Sequence, residues 1–166
     1  MLISVLQPGR GRPEKTIRGI VSLIEQAADT SKIEFIFRFD EDDQNTSNKV
    51  ITYFDENYPD LTFKYIIGTR HGYIHMEKYW DELTDYASGE YCLTWTDDNE
   101  MNPDNKGHWD ESIREAEGQL YLLDFHDTTK MPPYDRWPSV TPYPKKLYKI
   151  MGNRLCPNLK LDKWFI

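Results

Sequence analysis

Two adjacent aspartates, Asp97 and Asp98, offer the sharpest chemistry in this chain. They lie in TWTDDNEMNPDN, residues 94–105, directly after the apolar run Tyr91-Cys92-Leu93. A hard cation such as Mg²⁺ or Mn²⁺ takes oxygen ligands and keeps several waters, so one or two carboxylates suffice when substrate phosphates supply the rest. Side chains alternate along a strand. If the strand persists this far, one aspartate is expected on a metal and the other in a different role. A bare Asp-Asp-Asn is also the usual composition of a solvated Asx turn. An EF-hand is excluded, because Met101 stands at the third alternate position and no glycine follows there.

Other loops carry matching chemistry. Gly9-Arg10-Gly11-Arg12-Pro13 has two fixed cations beside a predicted helix start, where backbone N–H groups suit an anion. A basic turn of no further role has the same composition. No Gly-Lys-Ser/Thr follows, so it is not a Walker A loop, and its glycines do not match the dinucleotide fingerprint. Asp40-Glu41-Asp42-Asp43 gathers four carboxylates. Asp42 and Asp43 fit a solvated acidic loop, whereas Asp40 continues a phenylalanine strand and could accept from a ribose or a base N–H. His71 and His75 lack the Glu and third ligand of a zinc site. His108 and His126 are isolated; His126, after the fifth expected strand, is a candidate for a second metal or phosphate contact.

The elements that must position these residues read as an alternation. Leu2–Leu6 is a strand, stopped by Gln7-Pro8-Gly9. Pro13 fits a first helical turn, and Ile17, Ile20, Val21, Ile24 and Ala28 predict a helix over 13–28. Ile33, Phe35, Phe37 and Phe39 alternate on one strand face. Residues 40–48 read as a polar loop, 49–57 as a helix and 61–67 as a strand. Met76, Tyr79, Trp80, Leu83 and Ala87 mark a helix, residues 91–95 a strand, 105–117 a helix and 120–125 a fifth strand. Prolines at 132, 133, 138 and 142 predict no regular element over 126–142. A last helix is expected from Pro144, carrying Tyr143, Leu147, Ile150 and Met151, with Gly152 ending it. Such alternation predicts an α/β fold with a mostly parallel central sheet flanked by helices. Ligands then bind outside the carboxyl ends of the strands. Residues 7–12, 40–43, 68–70, 97–99 and 126–127 should all emerge on that edge.

Composition sets the frame. A chain of 166 residues is expected to form one domain, here 1–166. Hydrophobic residues make up 39% and charged residues 29%, the balance of a globular chain. The net charge of −8 argues against non-specific binding to nucleic acid or an anionic membrane. The two cysteines, Cys92 and Cys156, have no metal-ligand spacing, and no apolar run is long enough for a membrane span. A cytoplasmic location is the default expectation.

The ordered set of segments resembles a known family. ISVLQPGRGRPE, FRFDEDD, GTRHGY and YASGEYCLTWTDDN are similar to the first strand and loop, the second-strand aspartate segment, the arginine segment and the Asp-x-Asp metal motif of GT-A fold, family 2-like nucleotide-sugar glycosyltransferases. The resemblance covers roughly residues 2–125 and implies a Rossmann-like GT-A fold. It places Pro8, Arg10 and Arg12 by the nucleotide, Asp40 on base or ribose, and Arg70 near the diphosphate or base. Asp98 takes the metal position, with Asp97 at the turn or ribose. Thr96 departs from the family, standing where the first Asp of the motif is usual. PNLKLDKWFI resembles the region of the catalytic base, so Asp162 takes that role by similarity. Residues 1–99 would be the nucleotide-sugar and metal half and 100–166 the acceptor half. Family members usually continue further, so the chain reads as a minimal enzyme or a truncated piece.

The expected activity is metal-dependent transfer, with inversion, of a sugar from a UDP- or GDP-sugar to a hydroxyl acceptor. Mn²⁺ or Mg²⁺ on Asp98 would neutralise the departing diphosphate, with Arg10, Arg12 or Arg70 assisting. Asp162 would act as general base. Tyr134, Trp137 and Tyr143 could stack on sugar rings or simply pack. One alternative is an inactive nucleotide-binding module of the same fold, favoured by Thr96. Another is a sugar-phosphate nucleotidylyltransferase, although Lys15 fits its essential lysine poorly.

Overall fold

A run of four short hydrophobic strands separated by amphipathic helices has one economical solution, and the chain adopts it. The structure is a computed structural model that describes residues 1–104, 106–120 and 141–153. Strands β1 (Ile3–Gly9), β2 (Ile33–Asp40), β3 (Thr62–Gly68), β4 (Tyr91–Thr94) and β5 (Pro142–Pro144) form a sheet of order β3-β2-β1-β4-β5. The pairs β1–β2, β1–β4 and β2–β3 are parallel, and β5 runs antiparallel to β4.

Helices cover both faces. Helices α1 (Pro13–Glu25), α2 (Gln44–Asn57) and α4 (Trp109–Glu115) pack Ile20, Leu23, Val50, Phe54, Trp109 and Ile113 against Val5, Phe35, Phe37, Phe39 and Leu93. Phe37 stacks on Phe54 and Phe39 within this face. On the other face, α3 (Met76–Tyr86) and α5 (Lys145–Ile150) bring Trp80, Leu83 and Tyr148 onto Leu6, Ile36, Cys92 and Tyr143. Dry contact on both sides supplies the main driving force for the fold.

Several boundaries differ from the sequence reading. Strand β1 continues through Pro8 to Gly9. The Leu6 carbonyl accepts from Trp95 N–H, so residues 6 and 8 both present their backbone toward β4, whose pairing ends at Thr94. Pro8 therefore lacks a donor where no ladder bond exists to lose. Helix α1 stops at Glu25, before Ala28, because the amides of Ala28 and Asp29 turn to the buried Asp110 carboxylate at 2.8 and 3.1 Å. Helix α2 begins at Gln44, five residues earlier than expected, since Asp43 caps it by accepting from Thr46 N–H.

The antiparallel strand at 142–144 falls at the end of the stretch read as irregular. Tyr143 belongs to that strand, not to the following helix, and its hydroxyl lies 2.6 Å from Thr84 Oγ1. The prolines on either side are tolerated because β5 is the outermost strand. Of the fifth strand expected at 120–125, only Leu120 is described, and it is outside any strand. Residues 121–125 lie outside the described residues.

Candidate functional site

The carboxyl ends of β1 to β4 converge, and ion pairs join the loops that follow them. Arg10, after β1, donates through Nη1 to Asp40 Oδ2 at 2.9 Å and forks onto Asp42, with Nη2 3.1 Å from Oδ2. Arg70, after β3, approaches the same Asp42 at 4.0 Å. Arg12 lies 3.4 Å from Asp97, after β4. Four of the five loops expected on this edge are thus brought together. His126 and Asp127, the fifth, lie outside the described residues.

Asp40 is the buried centre of this edge, only 3% exposed. Its Oδ1 accepts from the Tyr79 hydroxyl at 2.8 Å and lies 3.4 Å from Arg38 Nη1. Burial and the bond to Asp40 raise the Tyr79 hydroxyl above its ordinary pKa, against the opposing pull of two amides. Those amides, His71 and Gly72, donate to the same hydroxyl at 2.9 and 3.1 Å. One tyrosine from α3 therefore fastens both the Asp40 carboxylate and the loop that carries Arg70.

Arg38 completes this support. Among the described residues it is the largest fully buried side chain, at 1% exposure. It donates to the carbonyls of Gly68 and Thr69 at 3.3 and 2.7 Å, to Phe39 O, and to Glu82 Oε2 at 2.5 Å. Its guanidinium also lies 5.0 Å from the centre of the Tyr79 ring. His71 Nε2 lies 2.6 Å from Glu82 Oε1. Burial pushes the Glu82 carboxyl up, but His71 and Arg38 outweigh it and hold it below its ordinary value. A buried charge of this kind is tolerated only with its partners in place.

The Gly9–Pro13 segment is organised differently from an open anion cradle. Gly11 takes a positive φ of 71°, and its N–H donates to Asp43 Oδ2 at 2.7 Å and to Thr46 Oγ1 at 2.9 Å. That amide is engaged within the protein. The start of α1 itself carries no side-chain cap. Arg10 and Arg12, at 38% and 56% exposure, are the groups this loop presents. Pro8 lies inside β1, just below them.

The two aspartates sit in a turn. Strand β4 ends at Thr94, so alternation along a strand no longer separates them. Asn99 N–H closes the turn onto Thr96 O at 3.2 Å. The Thr96 hydroxyl donates to Asp98 Oδ1 and accepts from Asn99 Nδ2 at 2.8 Å. The threonine that departs from the usual motif is therefore what orients Asp98. Asp97 is turned to Arg12, and Asp98 is exposed.

The donor set fits a hard, water-rich cation. Asp98 is a carboxylate open to solvent that could serve as an oxygen donor, with its Oδ2 engaged by none of the described residues. No three His, Cys, Asp or Glu side chains gather as a metal cage among the described residues. Mg²⁺ and Mn²⁺ sites that borrow phosphate oxygens do not need such a cage. Asp162, Tyr134 and Trp137 lie outside the described residues.

Sequence reasoning missed Tyr79, Arg38 and Glu82. Tyr79 was placed on a helix face by its spacing, which says nothing about its hydroxyl. Arg38 interrupts the Phe35-Ile36-Phe37-Arg38-Phe39 run, and an arginine within a buried strand was the one available signal.

No protein-family model and no curated protein matches the sequence. Solved structures do. A mannosyltransferase from Pyrobaculum calidifontis, in complex with GDP-Man and Mn²⁺, superposes with a TM-score of 0.71 at 14% identity, over 90% of this chain and 46% of that one. S. aureus TarS 1–349 in complex with UDP gives 0.74 at 15% identity, over 99% of this chain and 54% of that one. A 4-diphosphocytidyl-2C-methyl-D-erythritol synthase from Anaerococcus prevotii gives 0.56 at 16% identity, over 90% and 74%. The chain spans about half the length of the first two. It thus has an α/β, GT-A-like fold, of the kind that glycosyltransferases and nucleotidyltransferases share.

Proposed function

We propose that this chain is a metal-dependent glycosyltransferase that moves a sugar, with inversion, from a UDP- or GDP-sugar to a hydroxyl acceptor. The observation that carries the reading is the convergence of Arg10, Arg12 and Arg70 with Asp40, Asp97 and Asp98 on the carboxyl edge of a parallel sheet. In such sheets that edge is where ligands bind. The higher TM-scores of the GDP-Man and UDP complexes, 0.71 and 0.74 against 0.56 for the synthase, favour sugar transfer over nucleotidyl transfer.

Each residue has a task in this reading. Asp40, held by Tyr79, accepts from the base or ribose, and Pro8 lies beside the nucleotide. Arg10, Arg12 and Arg70 bind the diphosphate and stabilise negative charge as it forms on the leaving group. Asp98 would hold Mn²⁺ or Mg²⁺, which when bound supplies further charge neutralisation at the diphosphate. Asp97 steadies Arg12 or touches the ribose. Asp162 is the proposed general base that takes the acceptor proton.

The test compares wild type with Asp98→Ala in donor turnover with Mn²⁺, alongside nucleoside-diphosphate binding by thermal shift. Loss of turnover with the melting temperature of the free protein kept within about 2 °C, a change of under about 1 kcal/mol, is the expected result. Unchanged turnover contradicts the metal assignment. Nucleotide binding by the wild type with no turnover of any UDP- or GDP-sugar marks a binding module instead.

A further inference from the structure

The three arginines of the edge already face carboxylates of the same edge, and one carboxylate serves two of them. Asp42 fills the guanidinium fork of Arg10 and lies 4.0 Å from Arg70 Nη1. The Arg10 hydrogen bond, opposed by a little desolvation and helped by the Arg10 and Arg70 charges, holds the Asp42 carboxyl below its ordinary value. Its neighbours have other work. Asp40 is buried against Tyr79 and Arg38, and Asp43 caps α2 and takes the Gly11 amide. Asp42 is 48% exposed, so an incoming ligand can replace it without unpacking anything.

We propose that Asp42 is an internal counter-ion of this anion site, holding the place of one phosphate between Arg10 and Arg70. Two carboxylate oxygens bridging two arginines present nearly the pattern that two phosphate oxygens would. A single phosphate at the fork exchanges one anion for another and gains little. A diphosphate meets the same cost but carries a second phosphoryl group, whose oxygens remain for further contacts. Asp42 therefore lowers affinity for every anion that needs the fork, and only an anion with further contacts binds well despite it. This deepens the reading of the edge as a diphosphate site and rests on it.

An exposed ion pair is worth a factor of up to about five in an equilibrium constant. A carboxylate left close to a bound phosphate adds repulsion, screened by salt. Removing both effects should raise affinity for a short anion about three- to tenfold.

The experiment titrates inorganic phosphate and pyrophosphate, without metal and at low ionic strength, into the full chain and its Asp42→Asn and Asp42→Ser variants by calorimetry. Melting temperatures confirm that each variant folds. The expected result is a three- to tenfold gain in phosphate affinity in both variants, with a gain at least as large for pyrophosphate. Unchanged or weaker phosphate binding in both variants overturns the proposal, as does the absence of pyrophosphate binding in all three proteins. A parallel titration of UDP and GDP with Mn²⁺ separates the two readings. An Asp42-dependent rise in anion affinity without nucleotide binding keeps this inference and overturns the proposed function; nucleotide binding without that rise does the reverse.

Discussion

Replacing Tyr79 by Phe removes one oxygen and keeps the ring in its packing position. That oxygen donates to Asp40 at 2.8 Å and accepts the His71 and Gly72 amides at 2.9 and 3.1 Å. A hydrogen bond to a charged acceptor contributes about 1.5–3 kcal/mol net. The two amides lie on a partly exposed loop and recover some hydration, so each adds about 0.5 kcal/mol. The expected loss is about 2.5–4 kcal/mol, or about 7–12 °C in melting temperature for a domain of this size. Tyr65→Phe is the matched control, since its hydroxyl makes one exposed bond to Asp55 at 3.1 Å and should shift stability by under about 1 kcal/mol. Thermal and urea unfolding followed by circular dichroism measure both. If Tyr79→Phe shifts the melting temperature no more than Tyr65→Phe does, the hydroxyl is not the fastening point inferred for the Arg70 loop.

Other expectations concern the opposite end of the sheet and the core. Burial acts to raise the Glu34 carboxyl, but Lys64, the Ser4 hydroxyl and the Ser88 amide outweigh it and leave it below its ordinary value of 4.5. Its contribution to stability is therefore complete above pH 4.5 and is lost as pH falls through the lower folded-state value. Glu34→Gln should flatten the acid limb of a pH–stability curve there, and an unchanged limb counts against the Lys64 pairing. A Cβ on Gly89 would stand 2.8 Å from Ser4 N and 2.9 Å from Leu2 O. Gly89→Ala should accordingly lose about 1–3 kcal/mol in urea unfolding, whereas Gly107→Ala, whose Cβ meets nothing within 4 Å, should change little. Cys92 is buried, and burial pushes its thiol up to about 12. In a Cys156→Ser background it should resist thiol reagents at pH 8 until the protein unfolds; prompt labelling of the native protein would contradict its placement.

The sequence made the sheet edge legible because strand ends and charged loops recur together. Arg10, Arg70 and Asp97 follow three different strands and Asp40 ends a fourth, and an alternating α/β order forces such residues onto one edge. The phenylalanine face of β2 was equally plain from its alternation. What stayed hidden depends on contacts distant in sequence. Asp43 as the cap of α2 was masked by a polar first turn. Asp110 ends α1 from more than eighty residues away, and Tyr79 reaches Asp40 across thirty-nine. Asp42 looked like a solvated acid, since nothing local says that two arginines from separate loops share it. The role of Thr96 was also invisible, because a hydroxyl that orients the next carboxylate but one reads as a missing ligand.

The central claim is that the carboxyl edge binds a nucleoside diphosphate through its arginines. Calorimetric titration of UDP and GDP with Mn²⁺ into wild type and Arg10→Ala tests it most directly. Saturable one-site binding of one of the two nucleotides, weakened at least about tenfold, or about 1.4 kcal/mol, in the variant is the predicted result. Absence of binding to the wild type, or equal affinity in the two proteins, contradicts it.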